Sequence, residues 1–169
     1  MLVTGAVGAV GRFAVHAARA RGALVVAAVR ASQAEEARRL GGGGRGGARR
    51  GGGVARRGVR RWEAAWHGAA FDDVADTVGG AEVAALCRHL APGGSIVTAA
   101  TTPVPAEGLG ATPVFFAVHQ DGARLARLLQ AVAAGEIIHP VARCMKLEEA
   151  AAAHALVEAG GCGKIALVM

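Results

Sequence analysis

The sequence predicts an α/β fold, a doubly wound parallel sheet with one edge strand in doubt. Three observations lead there. Short apolar, β-prone runs alternate with amphipathic helical stretches. Glycine turns of a few residues join them. One run, Ala23 to Val29, is apolar without interruption, as a strand covered on both faces of a parallel sheet must be. The 169 residues are 53% apolar, enough for one packed domain, and residues 1–169 are expected to form a single one.

The elements follow in order. Leu2 to Thr4 is the first strand, and Gly5, Gly8 and Gly11 punctuate the turn after it. Arg12 to Arg21 is helical, with Phe13, Ala17 and Ala20 spaced to share the buried face, and Gly22 stops it. After the strand Ala23 to Val29, "SQAEEARRL" reads as a short helix capped by Ser32. Beyond residue 70, Phe71 to Asp76 is a strand, "TVGG" a turn and Ala81 to Leu90 a helix. "APGG" is another turn, and Ser95 to Ala99 and Val114 to Val118 are strands. Asp121 can cap a helix with a Leu125, Leu128, Leu129, Val132 stripe, ended by Gly135. An extended "IIHPVARC", a helix over "KLEEAAAAHALVEAGG" and a strand "KIALVM" complete the chain.

"TGAVGAVG" leaves a strand and enters a helix, which is where a phosphate site belongs. A dinucleotide needs a tight turn, close approach of backbone to pyrophosphate, and helix N–H groups aimed at the anion. On the G-x-G-x-x-G spacing, Ala6, Gly8 and Gly11 take the three glycine positions. The expectation is therefore a Rossmann-type site. At the end of the second strand an acid would hold the ribose of NAD, but the residues are "VRASQ". Arg30 offers a planar cation for a 2′-phosphate and Ser32 a donor beside it, which favours NADP(H) over NAD(H). The competing reading of Arg30 is a solvated strand-end residue.

"VTGAVGAVGRFAVHAARARGALVVAAVR", "DTVGG", "LAPGGSIVTAA" and "KLEEAAAAHALVEAGGCGKIALVM" together resemble the medium-chain dehydrogenase/reductase superfamily. The branch they resemble is the zinc-independent NADPH:quinone oxidoreductases, often labelled zinc-binding dehydrogenases. The resemblance implies hydride transfer from NADPH to a quinone or conjugated carbonyl, and no zinc. It implies that Ala6, Val7, Gly8, Ala9, Val10 and Gly11 cradle the pyrophosphate and that Arg30 and Ser32 receive the 2′-phosphate. Asp76, Thr77 and Val78 would line the cofactor groove, with Phe116 and Val118 passing near the nicotinamide. No catalytic residue is assigned, although His119, after the strand nearest the nicotinamide, is a candidate for orienting substrate. Family members carry a barrel-like catalytic domain ahead of this one. Met1 stands directly before the first strand, so that domain is expected to be absent here. The alternative function is accordingly a non-catalytic nucleotide-binding fragment, inactive without a partner domain. A homodimer is the assembly the family's habit suggests.

The resemblance lapses between Gly41 and Ala70. Eleven of those thirty residues are glycine, too many for a stable strand or helix. The family's third strand belongs there, at the sheet edge in the order 3-2-1-4-5-6. Seven arginines against one acid, Glu63, also place the chain's whole +6 charge in this stretch. A nucleic-acid-binding segment is one reading, but no aromatics interleave the glycines of "GGGGRGGARRGGGVARRGVRR", so nucleic acid is not favoured as a partner. A surface insertion is a second. The preferred reading is a compensated frameshift in a GC-rich gene, since length is kept while Gly, Arg and Ala dominate.

Other chemistries find little support. Cys87, Cys144 and Cys162 are too widely spaced for a disulfide framework or zinc knuckle, which suits a reducing, cytoplasmic setting. No apolar run reaches the about 18 residues of a membrane span, and no serine lies in a G-x-S-x-G elbow. The frameshift reading predicts that the coding DNA, aligned with related genes, changes frame at both borders of residues 41–70. An undisturbed frame overturns it.

Overall fold

The computed structural model describes residues 1–40 and 69–169, which form two compact units, Met1–Ile137 and Ile138–Met169. The Gly/Arg stretch, with its readings as arm, insertion or missing third strand, lies outside the described residues.

The first unit runs β1 (Leu2–Thr4), α1 (Ala9–Ala20), β2 (Val26–Ala28), α2 (Ala34–Arg39), β3 (Phe71–Asp76), α3 (Gly80–Cys87), β4 (Leu90–Thr98), β5 (Val114–Phe115) and α4 (Gly122–Ala133). The five strands make one parallel sheet in the order β2-β1-β3-β4-β5. From β1 the chain first steps outward to β2, and after residue 70 it resumes on the other side with β3. The strand order therefore reverses between β1 and β3, where such a sheet opens a crevice at its carboxyl edge.

Alternation along the strands builds a core on each face. Leu2 and Val74 join Phe71, Val83, Leu86 and Ile96 on one side, whereas Val3 joins Ala6, Val7, Val15, Ala18 and Val25 on the other. β1 is only three residues long, yet Leu2 and Val3 are 1% and 0% exposed. Burying each such side chain contributes about 1.5–3 kcal/mol.

Several elements differ from the sequence expectation. α1 begins three residues early, with Gly8 as its N-cap, and buries Gly11, Arg12, Val15 and Ala18 instead of Phe13, Ala17 and Ala20. The period is the expected one, but its phase is two residues earlier because Gly11 must lie against the glycine turn. β2 covers only Val26–Ala28 of the apolar run. Ser32 does not cap a helix. Residues Ala31–Gln33 form a 3₁₀ turn in which the Gln33 side-chain oxygen accepts from the Arg30 N–H at 3.2 Å, and α2 starts afterwards. "APGG" lies inside β4, where the ladder with β3 slips between Phe71 and Asp73 and so accommodates the glycines without ending the strand. Asp121 does cap α4, accepting from the Arg124 N–H at 2.8 Å, a bond that holds its carboxyl below the usual range. The leucine stripe of α4 is not a buried one: Leu125 and Leu129 are exposed.

In the second unit β6 (Val141–Lys146) pairs in parallel with β7 (Lys164–Val168), and α5 (Ala150–Ala159) forms the crossover. Among the described residues no helix is long and apolar enough to cross a membrane.

Candidate functional site

A cleft of about 350 Å³ lies at the β1/β3 crevice. Gly5, Gly8, Ala9 and Val10 form its floor, Ala28, Val29, Arg30 and Gln33 the rim beyond β2, and Thr77 and Val78 the opposite wall.

The floor depends on glycine at two places. Gly5 has φ +59°, and a Cβ there would sit 2.5 Å from Thr77 Oγ1. Its N–H donates to the Ala28 carbonyl at 2.9 Å, and its own carbonyl accepts from the Gly8 N–H at 2.8 Å, closing the turn. Gly11 packs so tightly beneath that a Cβ would collide with the Gly5 carbonyl. Gly8 then starts α1, whose first N–H groups have no partner within the helix and face the cleft with the positive end of the helix dipole. Ala6, Val7 and Gly11 are buried under this surface and shape it from below.

Arg12 braces the turn from inside the fold. Its side chain is 6% exposed, its Nε donates to the Val7 carbonyl at 2.8 Å, and its guanidinium pairs with Glu36 of α2. The glycine turn and the segment that presents Arg30 are thereby tied together. Arg30 itself is exposed, and among the described residues no carboxylate forms an ion pair with it. Ser32 is exposed and does not line the cleft; Gln33, its neighbour, does.

On the far wall Thr77 and Val78 line the cleft, but Asp76 does not. Asp76 is 2% exposed and its carboxylate is surrounded by donors from the protein. Thr4 Oγ1 donates to it at 2.5 Å, Thr98 Oγ1 at 2.6 Å, the Val78 N–H at 2.9 Å and the Gly79 N–H at 3.1 Å. Burial, and then the charge of Asp76, push the nearby Cys87 thiol up to about 11, so it stays protonated at neutral pH and is no nucleophile. Phe116 continues past β5 with its N–H on the Thr98 carbonyl at 2.8 Å, and Phe116, Val118 and His119 are exposed outside the cleft lining.

Of the residues expected at a site, the structure brings Gly8, Ala9, Val10, Arg30, Thr77 and Val78 to one cleft. Ala28, Val29 and Gln33 join them without having been assigned to the site, as does Gly5, which the sequence placed in the glycine turn after the first strand. Among the described residues no three His, Cys, Asp or Glu side chains converge as a metal site. Gly11→Ala is expected to cost about 1–3 kcal/mol of stability by overpacking the turn, measured by denaturant unfolding. An unchanged midpoint contradicts the contact with Gly5.

Comparison with known proteins adds the family. Residues 54–167 match the family model described as zinc-binding dehydrogenase, a span that begins after the glycine turn and Arg30. The chain is similar in structure to the quinone oxidoreductase from Coxiella burnetii, at 20% identity and TM-score 0.73, covering 99% of this chain and 52% of that one. An alcohol dehydrogenase superfamily protein from Novosphingobium aromaticivorans is similar at 27% identity and TM-score 0.72, covering 99% and 55%. A thermostable alcohol dehydrogenase from Pyrobaculum aerophilum is similar at 22% identity and TM-score 0.69, covering 99% and 49%. No curated protein sequence matches. The chain spans about half the length of these solved structures. The family match over most of the chain and the parallel sheet it folds into lead to one conclusion: the chain belongs to the zinc-binding dehydrogenase family, within the medium-chain dehydrogenase/reductase superfamily.

Proposed function

We propose that this chain is the cofactor-binding part of an NADP(H)-dependent oxidoreductase that reduces a quinone or conjugated carbonyl. The observation behind this reading is the cleft, in which the N-terminus of α1 and an exposed arginine without an ion-pair partner among the described residues face one space. The residues present fit a phosphorylated dinucleotide. A side chain at Gly5 or Gly11 would fill or distort the cradle, and the floor offers N–H donors without a competing carboxylate in the cleft lining.

In this reading Ala9 and Val10 hold the pyrophosphate through backbone N–H groups, while Gly8, its N–H on the Gly5 carbonyl, lets the phosphate approach the turn, over the buried Ala6, Val7 and Gly11. Arg30 pairs with the 2′-phosphate, Gln33 closes the same rim, and Ser32 donates from just outside it. Thr77 and Val78 form the wall past which the nicotinamide half extends toward Phe116 and Val118. NADPH, when bound, supplies the hydride from its nicotinamide C4. The chain's own contribution is to fix that ring's position and to exclude water. It has no tyrosine to serve as a proton donor, and no catalytic residue is assigned within it. The substrate class rests on the family resemblance, and the Coxiella relative bears the name quinone oxidoreductase. Since the chain spans about half of such structures, binding is the property to test before turnover.

Calorimetric titration separates the cofactor assignments. NADPH is expected to bind more tightly than NADH. Arg30→Ala should weaken NADPH by about 10- to 100-fold, the worth of a charge-assisted contact, while leaving NADH within about twofold. Equal affinities in the unaltered chain overturn the NADP(H) assignment, and binding of neither overturns the cofactor role.

A further inference from the structure

We infer that Asp76 is a positioning residue: its buried carboxylate sets the Thr77–Val78 wall of the cleft and thereby the affinity for the half of the dinucleotide that lies away from Arg30. The inference rests on the nucleotide-binding reading of the cleft.

Three features lead to it. The carboxylate stands at the carboxyl end of β3, beside the point where the strand order reverses. Thr4 of β1 and Thr98 of β4 both donate to it, so one side chain joins the ends of three adjacent strands under the crevice. The same carboxylate accepts the Val78 and Gly79 N–H groups, which fixes the path of the wall.

The hydroxyls are committed in direction. Thr4 Oγ1 accepts from the Thr77 N–H at 3.0 Å while donating to Asp76, and Thr98 Oγ1 accepts from the Ala100 N–H at 3.0 Å while donating to Asp76. Each hydroxyl has one proton, and Asp76 takes both. An amide in place of the carboxylate would offer one acceptor and one donor, so one of these hydroxyls or N–H groups would lose its partner. Among the described residues no cation pairs with Asp76, so oriented dipoles alone hold the charge. Thr77 Oγ1 also donates to the Thr4 carbonyl at 2.8 Å and occupies the space beside Gly5. A shift of the wall therefore changes the cleft directly.

The sheet order β2-β1-β3 places the Arg30 rim and the Thr77–Val78 wall on opposite sides of β1. A ligand confined to the Arg30 side should not sense Asp76. The test is titration of the full chain and of Asp76→Asn with NADPH and with 2′,5′-ADP, beside amide hydrogen exchange at Val78 and Gly79. Asp76→Asn is expected to weaken NADPH at least about tenfold, leave 2′,5′-ADP within about twofold, and speed exchange at both amides. Should that variant fail to fold, Thr98→Val and Thr98→Ser replace it, with loss of NADPH affinity in the first and recovery in the second. Unchanged NADPH affinity, or equal loss of both ligands, overturns the positioning role and leaves the cleft assignment standing. An unaltered chain that binds neither ligand overturns both.

Discussion

A buried carboxylate without a cationic partner among the described residues holds the working edge of this sheet together. Parallel strands meet their ligands at their carboxyl ends, where the ladder stops and backbone groups lose their partners. At that edge Asp76 gathers two hydroxyls and two backbone N–H groups from β1, β4 and the turn after β3. The Thr98 carbonyl then receives the Phe116 N–H, extending the same line of contacts past β5. The cost of burying a charge is offset by short, charge-assisted hydrogen bonds. The benefit is geometric, since the wall and floor of the cleft are referred to a common point.

The floor is shaped by steric necessity. Gly5, Gly8 and Gly11 lie so close that α1 can begin only where it does, and this sets which of its faces enters the core. Arg12 extends the constraint outward through Glu36 to the segment bearing Arg30. Anion-attracting features thus converge without any large net charge: the chain's surplus of arginine lies in residues 41–70, away in sequence from every residue lining the cleft.

The elements most legible in the sequence were those bounded by strong local signals. Phe71 to Asp76 appears with the expected ends, the carboxyl one marked by the glycine turn that follows it. The glycine turn was legible because a tight passage from strand to helix demands small residues, and Arg30 because it stands where the second strand ends. The phase of α1 was not, because alanine at nearly every position makes several faces equally apolar, and only the contact between Gly11 and Gly5 selects one. Nor was the fate of Asp76. An aspartate closing a strand looks like a groove-lining residue until the fold brings Thr4 and Thr98 to it from 72 and 22 residues away. Gln33 was missed for a similar reason, since its turn with Arg30 replaces the helix cap expected of Ser32.

Family membership gives the chain a lineage, while the cleft gives it a testable chemistry. The central claim is that the crevice between β1 and β3 receives a nicotinamide dinucleotide along the glycine turn. Amide NMR spectra of the chain recorded with and without NADPH test it most directly. The account predicts that the largest shifts fall on Gly5, Gly8, Ala9, Val10, Arg30, Thr77 and Val78. Shifts confined to other parts of the chain, or none at saturating NADPH, would contradict it.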